Sequence, residues 1–138
     1  MKIAILNGPN LNLIGSRETD IYGKETFEEY FNKLSKIYKE VDFHYFQSNI
    51  EGELINEIQC AAKSMAGIIL NAGAYTHTSL AIGDAVASIK IPVVEVHISN
   101  IEAREEFRKY SHISAKCSGT IFGFGLKGYL LAVESFLH

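Results

Sequence analysis

Three short runs in this chain are apolar almost from end to end, and they constrain the fold more than any other feature. Residues 2–7 (KIAILN), 66–71 (AGIILN) and 91–97 (IPVVEVH) are strand-length and do not alternate as a half-exposed strand does. Such runs are buried on both faces, as in parallel sheets covered by helices. Pro92 stands near the start of its run, where a strand tolerates it. The segments between the runs are amphipathic. Over 24–40, Phe27, Tyr30, Phe31, Leu34 and Ile37 recur at helical spacing, and Thr26 ahead of Glu28 and Glu29 marks a helix start. Over 51–64, Leu54, Ile55, Ile58 and Ala62 share a helical face, and Cys60 reads as packing. Residues 78–88 form a small-residue helix that Thr76 or Thr78 can cap, 102–110 a charged helix, and 126–137 a closing apolar helix. Residues 41–48 alternate with aromatics as a strand does, and 113–122 form a weaker one.

The resulting order is five βα units in one domain, 1–138. It predicts a flavodoxin-like, doubly wound, five-stranded parallel sheet with helices on both faces. Ligands in that class bind beyond the carboxyl ends of the strands. Composition removes several other readings. Hydrophobic residues at 47% and charged residues at 21% exclude a disordered chain. A net charge of −3 without a basic block argues against nucleic acid as a partner. No apolar run approaches the ~20 residues that cross a bilayer. The N-terminal MKIAILNGPN has no small-residue cleavage pattern, so no signal peptide is expected and a cytoplasmic location is. Cys60 and Cys117 have no CxxC spacing and suit a reducing compartment.

The strand ends carry the candidate chemistry. After the first strand comes NGPNLNLIGSRETDIYG, with Asn10, Arg17 and Tyr22. It exceeds the usual 2–6 residues of a βα turn, which fits a lid over a ligand edge as well as a surface loop built of turn residues. It is neither a Walker loop nor GxGxxG, so phosphate cradling has little support. After the third strand, NAGAYTHTS sets Asn71 and His77 toward the crevice, although a histidine at a helix start is often only a capping or surface residue. In the fourth strand, Glu95 and His97 are two apart and share a face. A carboxylate beside an imidazole fixes its tautomer and makes it a better acid. Backbone N–H groups at Ile98 and Ser99 suit a carboxylate ligand. Arg104 and Arg108, at i and i+4 of the charged helix, either face the site or pair with Glu105 and Glu106. His77, Asp84, Glu95 and His97 are metal-ligand types without metal-ligand spacing, so no metal is expected. No clear strand end carries a Schiff-base lysine.

Three of these segments, GPNLNLIGSRETDIYG, NAGAYTHTS and EVHISNIEAREEFR, together with the closing GFGLKGYLLAV, resemble type II 3-dehydroquinate dehydratase over essentially the whole chain. The resemblance implies the shikimate-pathway dehydration of 3-dehydroquinate to 3-dehydroshikimate, an anti elimination through an enolate without a Schiff base. It also implies no cofactor and a homo-oligomer, a dodecamer built of trimers. By the same resemblance Tyr22 is the base, activated by Arg17 with Arg108 near it. Asn10 steadies the enolate oxygen through a water, and His97, oriented by Glu95, is the acid. Asn71 and His77 take ring hydroxyls, Ile98 and Ser99 the substrate carboxylate, and Asp84 reaches a neighbouring subunit's site. Two positions depart from the pattern: Glu102 stands where several relatives have His, and Ser88 where some have an acid. The competing reading is a flavodoxin-like small-molecule or cofactor-binding protein, since the fold alone does not determine function.

Overall fold

The computed structural model describes residues 1–16 and 24–138. Five strands form one parallel sheet: β1 (Lys2–Asn7), β2 (Asp42–Gln47), β3 (Gly67–Asn71), β4 (Val93–His97) and β5 (Gly119–Phe122). Their spatial order is β2-β1-β3-β4-β5, the flavodoxin-like arrangement. Among the described residues four α-helices pack on it: α1 (Phe27–Ile37), α2 (Glu51–Ala61), α3 (Leu80–Ser88) and α4 (Lys127–Leu137). No helix among the described residues is long and apolar enough to cross a membrane.

The apolar runs form strands for the expected reason. Ile3, Ile5 and Ile69 pack on α1 and α4 through Phe27, Leu34, Tyr129 and Val133. Their strand neighbours Ala4, Leu6, Ile68 and Leu70 pack on α2 and α3 through Leu54, Ile58, Ile82 and Val86. Both faces are dry, and each fully buried Ile or Leu contributes about 1.5–3 kcal/mol. The start of α1 carries a capping box. The Glu29 amide donates to Thr26 Oγ1 at 3.2 Å, and the Glu29 carboxylate accepts from the Thr26 amide at 3.5 Å.

Four local expectations need correction. The α3 cap is Ser79, whose Oγ accepts from the Ile82 amide at 2.9 Å, rather than Thr76 or Thr78. The buried stripe of α2 ends on Ala61 instead of Ala62, and Cys60 lies on the exposed side. Residues 102–110 are not a helix. They form two single 3-10 turns, Ile101–Ala103 and Glu106–Arg108, separated by an extended Arg104. Only Ile101 of this stretch is buried while Phe107 is 65% exposed, so no apolar stripe offsets the cost of nucleating a helix. The strand expected over 113–122 shortens to β5, preceded by a 3-10 turn at Ser114–Lys116. The β4–β5 connection therefore crosses as anchored coil, and the chain has four α-helices among its described residues where five were expected.

Gly8 brings two of the strand ends together. A Cβ at Gly8 would stand 2.4 Å from the Ala72 carbonyl oxygen, and the Gly8 amide itself donates to Asn71 O at 2.7 Å. Only a residue without a side chain lets the β1 loop lie this close against the β3 loop.

Candidate active site

Parallel register brings the polar strand ends level. Asn7 pairs with Gln47 on one side and Asn71 on the other, and Leu70 pairs with Glu95. Beyond this edge lies a polar-lined cleft that opens to solvent. Asn10, Leu11 and Ile14 form one wall, Asn71 and His77 the second, and His97, Ile98 and Ser99 the third. Arg104 and Arg108 reach the rim from the β4–β5 connection.

Asn10 adopts a left-handed backbone, φ 69°, which asparagine tolerates better than most residues. Its amide donates to Asn49 Oδ1 at 2.9 Å, which ties the loop after β1 to the end of β2. Asn71 is held from both ends. Its Oδ1 accepts from the Gly73 amide at 3.1 Å, and its Nδ2 donates to the Tyr129 hydroxyl at 2.9 Å. Tyr129 in turn donates to Asn7 Oδ1 at 2.7 Å. Each partner fixes the polarity of the next, so the Asn71 amide has one orientation.

Glu95 and His97 share a face of β4, as their spacing requires, and form a buried hydrogen-bonded pair through Oε2 and Nε2. Glu95 is wholly buried. Ser114 Oγ donates to its Oε1 at 2.7 Å, and Ser111 Oγ approaches both oxygens at 3.3–3.4 Å. Burial alone pushes this carboxyl up, but the His97 bond and charge and the two serine hydroxyls together hold it below the usual carboxylate range. The His97 ring nitrogen not engaged by Glu95 is Nδ1.

The His77 ring lies nearly parallel to that of His97, with centroids 6.2 Å apart. Its Nδ1 donates to the Tyr110 carbonyl at 2.7 Å, which leaves Nε2 as the second polar atom of the ring. Burial lowers the His77 pKa, and His97 and Arg108 lower it further against the opposing pull of the Tyr110 carbonyl and Glu95.

Of the expected site residues, Asn10, Asn71, His77, His97, Ile98, Ser99 and Arg108 converge on this cleft, with Glu95 directly behind His97. Arg108 also pairs with Glu105 at 2.5 Å, so both expected roles of that arginine coexist. Asp84 does not reach this cleft. It lies exposed on α3, 3.5 Å from the Lys116 ammonium. The expectations for Arg17 and Tyr22 fall on residues 17–23, outside the described residues. Among the described residues no three His, Cys, Asp or Glu side chains gather as a metal-holding group. Sequence reasoning missed Ser111, Ser114 and Tyr129. Each acts through partners 16 to 122 residues away, so no local spacing announces it.

The chain matches the family model "Dehydroquinase class II" over residues 1–137. It is 50% identical to a 3-dehydroquinate dehydratase of Prochlorococcus marinus, over 99% of this chain and 95% of that one. It is 53% identical to the enzyme of the same name from Fusobacterium nucleatum, over 96% and 94% of the two chains. The crystal structure of a type II dehydroquinase from Butyrivibrio crossotus superposes with a TM-score of 0.97 at 46% identity, covering 100% of this chain and 98% of that one. A fold, a set of strand ends and a full-length match all lead to the same place: this chain belongs to the class II dehydroquinase family.

Proposed function

We propose that the cleft dehydrates 3-dehydroquinate to 3-dehydroshikimate by proton removal, enolate formation and acid-assisted loss of water. The observation that carries this reading is the buried Glu95–His97 pair at the mouth of β4, facing His77 and the Asn10 wall across one cleft. Elimination of a β-hydroxyl needs a proton donor, because hydroxide leaves poorly. His97 is that donor: Glu95 binds Nε2 and fixes the ring, and Nδ1 delivers the proton to the departing oxygen, which leaves as water. Tyr22 is the base. Its phenol ionises near pH 10 when free, so Arg17 lowers that value by stabilising the phenolate. The α-proton moves to the Tyr22 oxygen, its electrons form the enolate, and Asn10 acts on the enolate oxygen through a water.

The remaining residues bind and orient. Asn71, locked by Tyr129 and Gly73, and His77, locked by Tyr110, receive ring hydroxyls. Ile98 and Ser99 receive the substrate carboxylate, and Arg108 supports the base. Asp84 lies exposed and away from its own cleft, which fits a contribution to a neighbouring subunit's site in a trimer. The working assembly in this reading is a dodecamer of four such trimers in the cytoplasm, and the reaction needs no cofactor.

The test is a spectrophotometric assay with 3-dehydroquinate, which gains a conjugated, ultraviolet-absorbing carboxylate on dehydration. Turnover that survives a metal chelator and borohydride, and that Tyr22→Phe abolishes without changing the assembly, is the expected result. A folded oligomer with no turnover would overturn the reading. Light scattering of the purified protein checks the assembly, and a monomer with full activity would remove Asp84 from the site.

A further inference from the structure

We infer that Ser111 and Ser114 are positioning residues for the acid step, holding the Glu95 carboxylate in the one rotation that presents His97 Nδ1 to the cleft. The inference rests on the reading of His97 as the acid. Glu95 is wholly buried, and His97 engages only one of its oxygens. The other oxygen needs a donor of its own, which Ser114 Oγ supplies at 2.7 Å. Ser111 is more constrained. Its Oγ accepts the amides of Ile113 and Ser114, each at 3.0 Å, so its own proton is left for the carboxylate. With both hydroxyls in place the carboxylate plane has no freedom to turn. Without them it can rotate and take the imidazole with it.

The position of these serines in the chain adds to the argument. They lie in the coil between β4 and β5 that supplies Arg108 to the cleft rim and the Tyr110 carbonyl to His77 Nδ1. Within seven residues, one segment sets the orientation of His77, the orientation of Glu95 and the position of Arg108. Residues that fix the partner of a reacting group are needed for activity although they touch no substrate.

Replacing Ser114 tests the inference, because its removal leaves the Ser111 turn bonds intact. The charged or titratable groups facing Glu95 are His97 on its own strand, His77 from the turn after β3 with Arg108 beside it, and Cys117 from the turn before β5. None of these changes in the variant. Loss of a donor lets the carboxylate turn and misplaces His97, which slows the loss of water and leaves proton removal untouched. The expectation for Ser114→Ala is kcat down about tenfold near neutral pH, KM within about twofold of wild type, and solvent deuterium entering the substrate α-position faster than product forms. Ser114→Thr, which keeps the hydroxyl, restores both. Should the alanine variant fail to fold, Ser114→Cys, with similar volume and a weaker donor, reads the same displacement at smaller size. A loss of kcat with no rise of exchange relative to product, a loss confined to KM, or no rescue by threonine overturns the inference. A wild-type protein that does not dehydrate 3-dehydroquinate removes the assigned reaction instead, whereas an active wild type with unaltered serine variants removes only the positioning role.

Discussion

Tyr129→Phe deletes one oxygen atom from the middle of the molecule, and the structure says what that atom is worth. The ring stays: it packs edge-on against Phe27 at a centroid distance of 4.9 Å, and phenylalanine fills the same space. What disappears is the hydroxyl that donates to Asn7 Oδ1 at 2.7 Å and accepts from Asn71 Nδ2 at 2.9 Å. Asn7 is 0% exposed and Asn71 3%, so water does not readily replace the lost partner. Each buried group left unsatisfied costs about 1–3 kcal/mol, which puts the substitution at about 2–6 kcal/mol. An unfolding entropy of about 2.1 cal/mol/K per residue amounts to about 0.29 kcal/mol/K for 138 residues, so a loss of about 3 kcal/mol lowers Tm by about 10 °C. Thermal unfolding by circular dichroism, at matched subunit concentration, measures it. The same variant releases Asn71 toward the cleft, so KM for 3-dehydroquinate rises as well. A Tm within about 3 °C of wild type, with KM unchanged, would refute the view that this buried relay holds both the sheet end and the site.

Three further outcomes follow from other parts of the structure. Glu95 has a folded pKa below its ordinary value of 4.5, so its stabilising contribution is complete above that value and is lost as pH falls through the lower, folded pKa; Glu95→Gln flattens this part of the acid-denaturation curve, and an unchanged curve would count against the assignment. His97→Ala stalls the reaction after proton removal, so mass spectrometry shows solvent deuterium entering the substrate α-position without product; absence of exchange would weaken the stepwise enolate. Gly8→Ala drives a Cβ against the Ala72 carbonyl oxygen and costs about 1–3 kcal/mol, measured by urea unfolding, with loss of kcat/KM because the loop carrying Asn10 moves.

The parts of this molecule that were legible in its sequence are those governed by local pattern. The doubly apolar runs became β1, β3 and β4 because burial on both faces leaves no other use for them. The helix start at Thr26 followed from the acidic Glu28 and Glu29 behind it, and the Glu95–His97 pair from the two-residue period of a strand. What failed was decided at longer range. The charged stretch 102–110 has acceptable helix propensity, but it has little to bury. Its backbone is instead fixed locally by the Asn100 side chain on the Glu102 amide, and at long range by the Tyr110 carbonyl on His77. Cys60 looked internal because its neighbours are apolar, but the helix turns it outward one residue before the buried Ala61. The hydroxyls that orient Glu95 and Asn71 come from segments that only the fold brings near.

The absence of a helix between β4 and β5 has a consequence for how this protein opens. Strands β1 and β3 are laddered on both edges and carry the dry core, whereas the connection from β4 to β5 is held by scattered turns and by bonds to His77 and Glu95. Local unfolding begins where buried apolar contacts are fewest. Among the described residues the segment around 99–118 is therefore expected to open before the core strands, with amide hydrogen exchange there running ahead of exchange in Ile5 or Ile69. In the proposed reading a bound ring would restrain this segment through Arg108 and through His77, whose Nδ1 it holds. Occupancy of the site and closure of this coil are then a single equilibrium, read as slowed exchange along it when ligand is added.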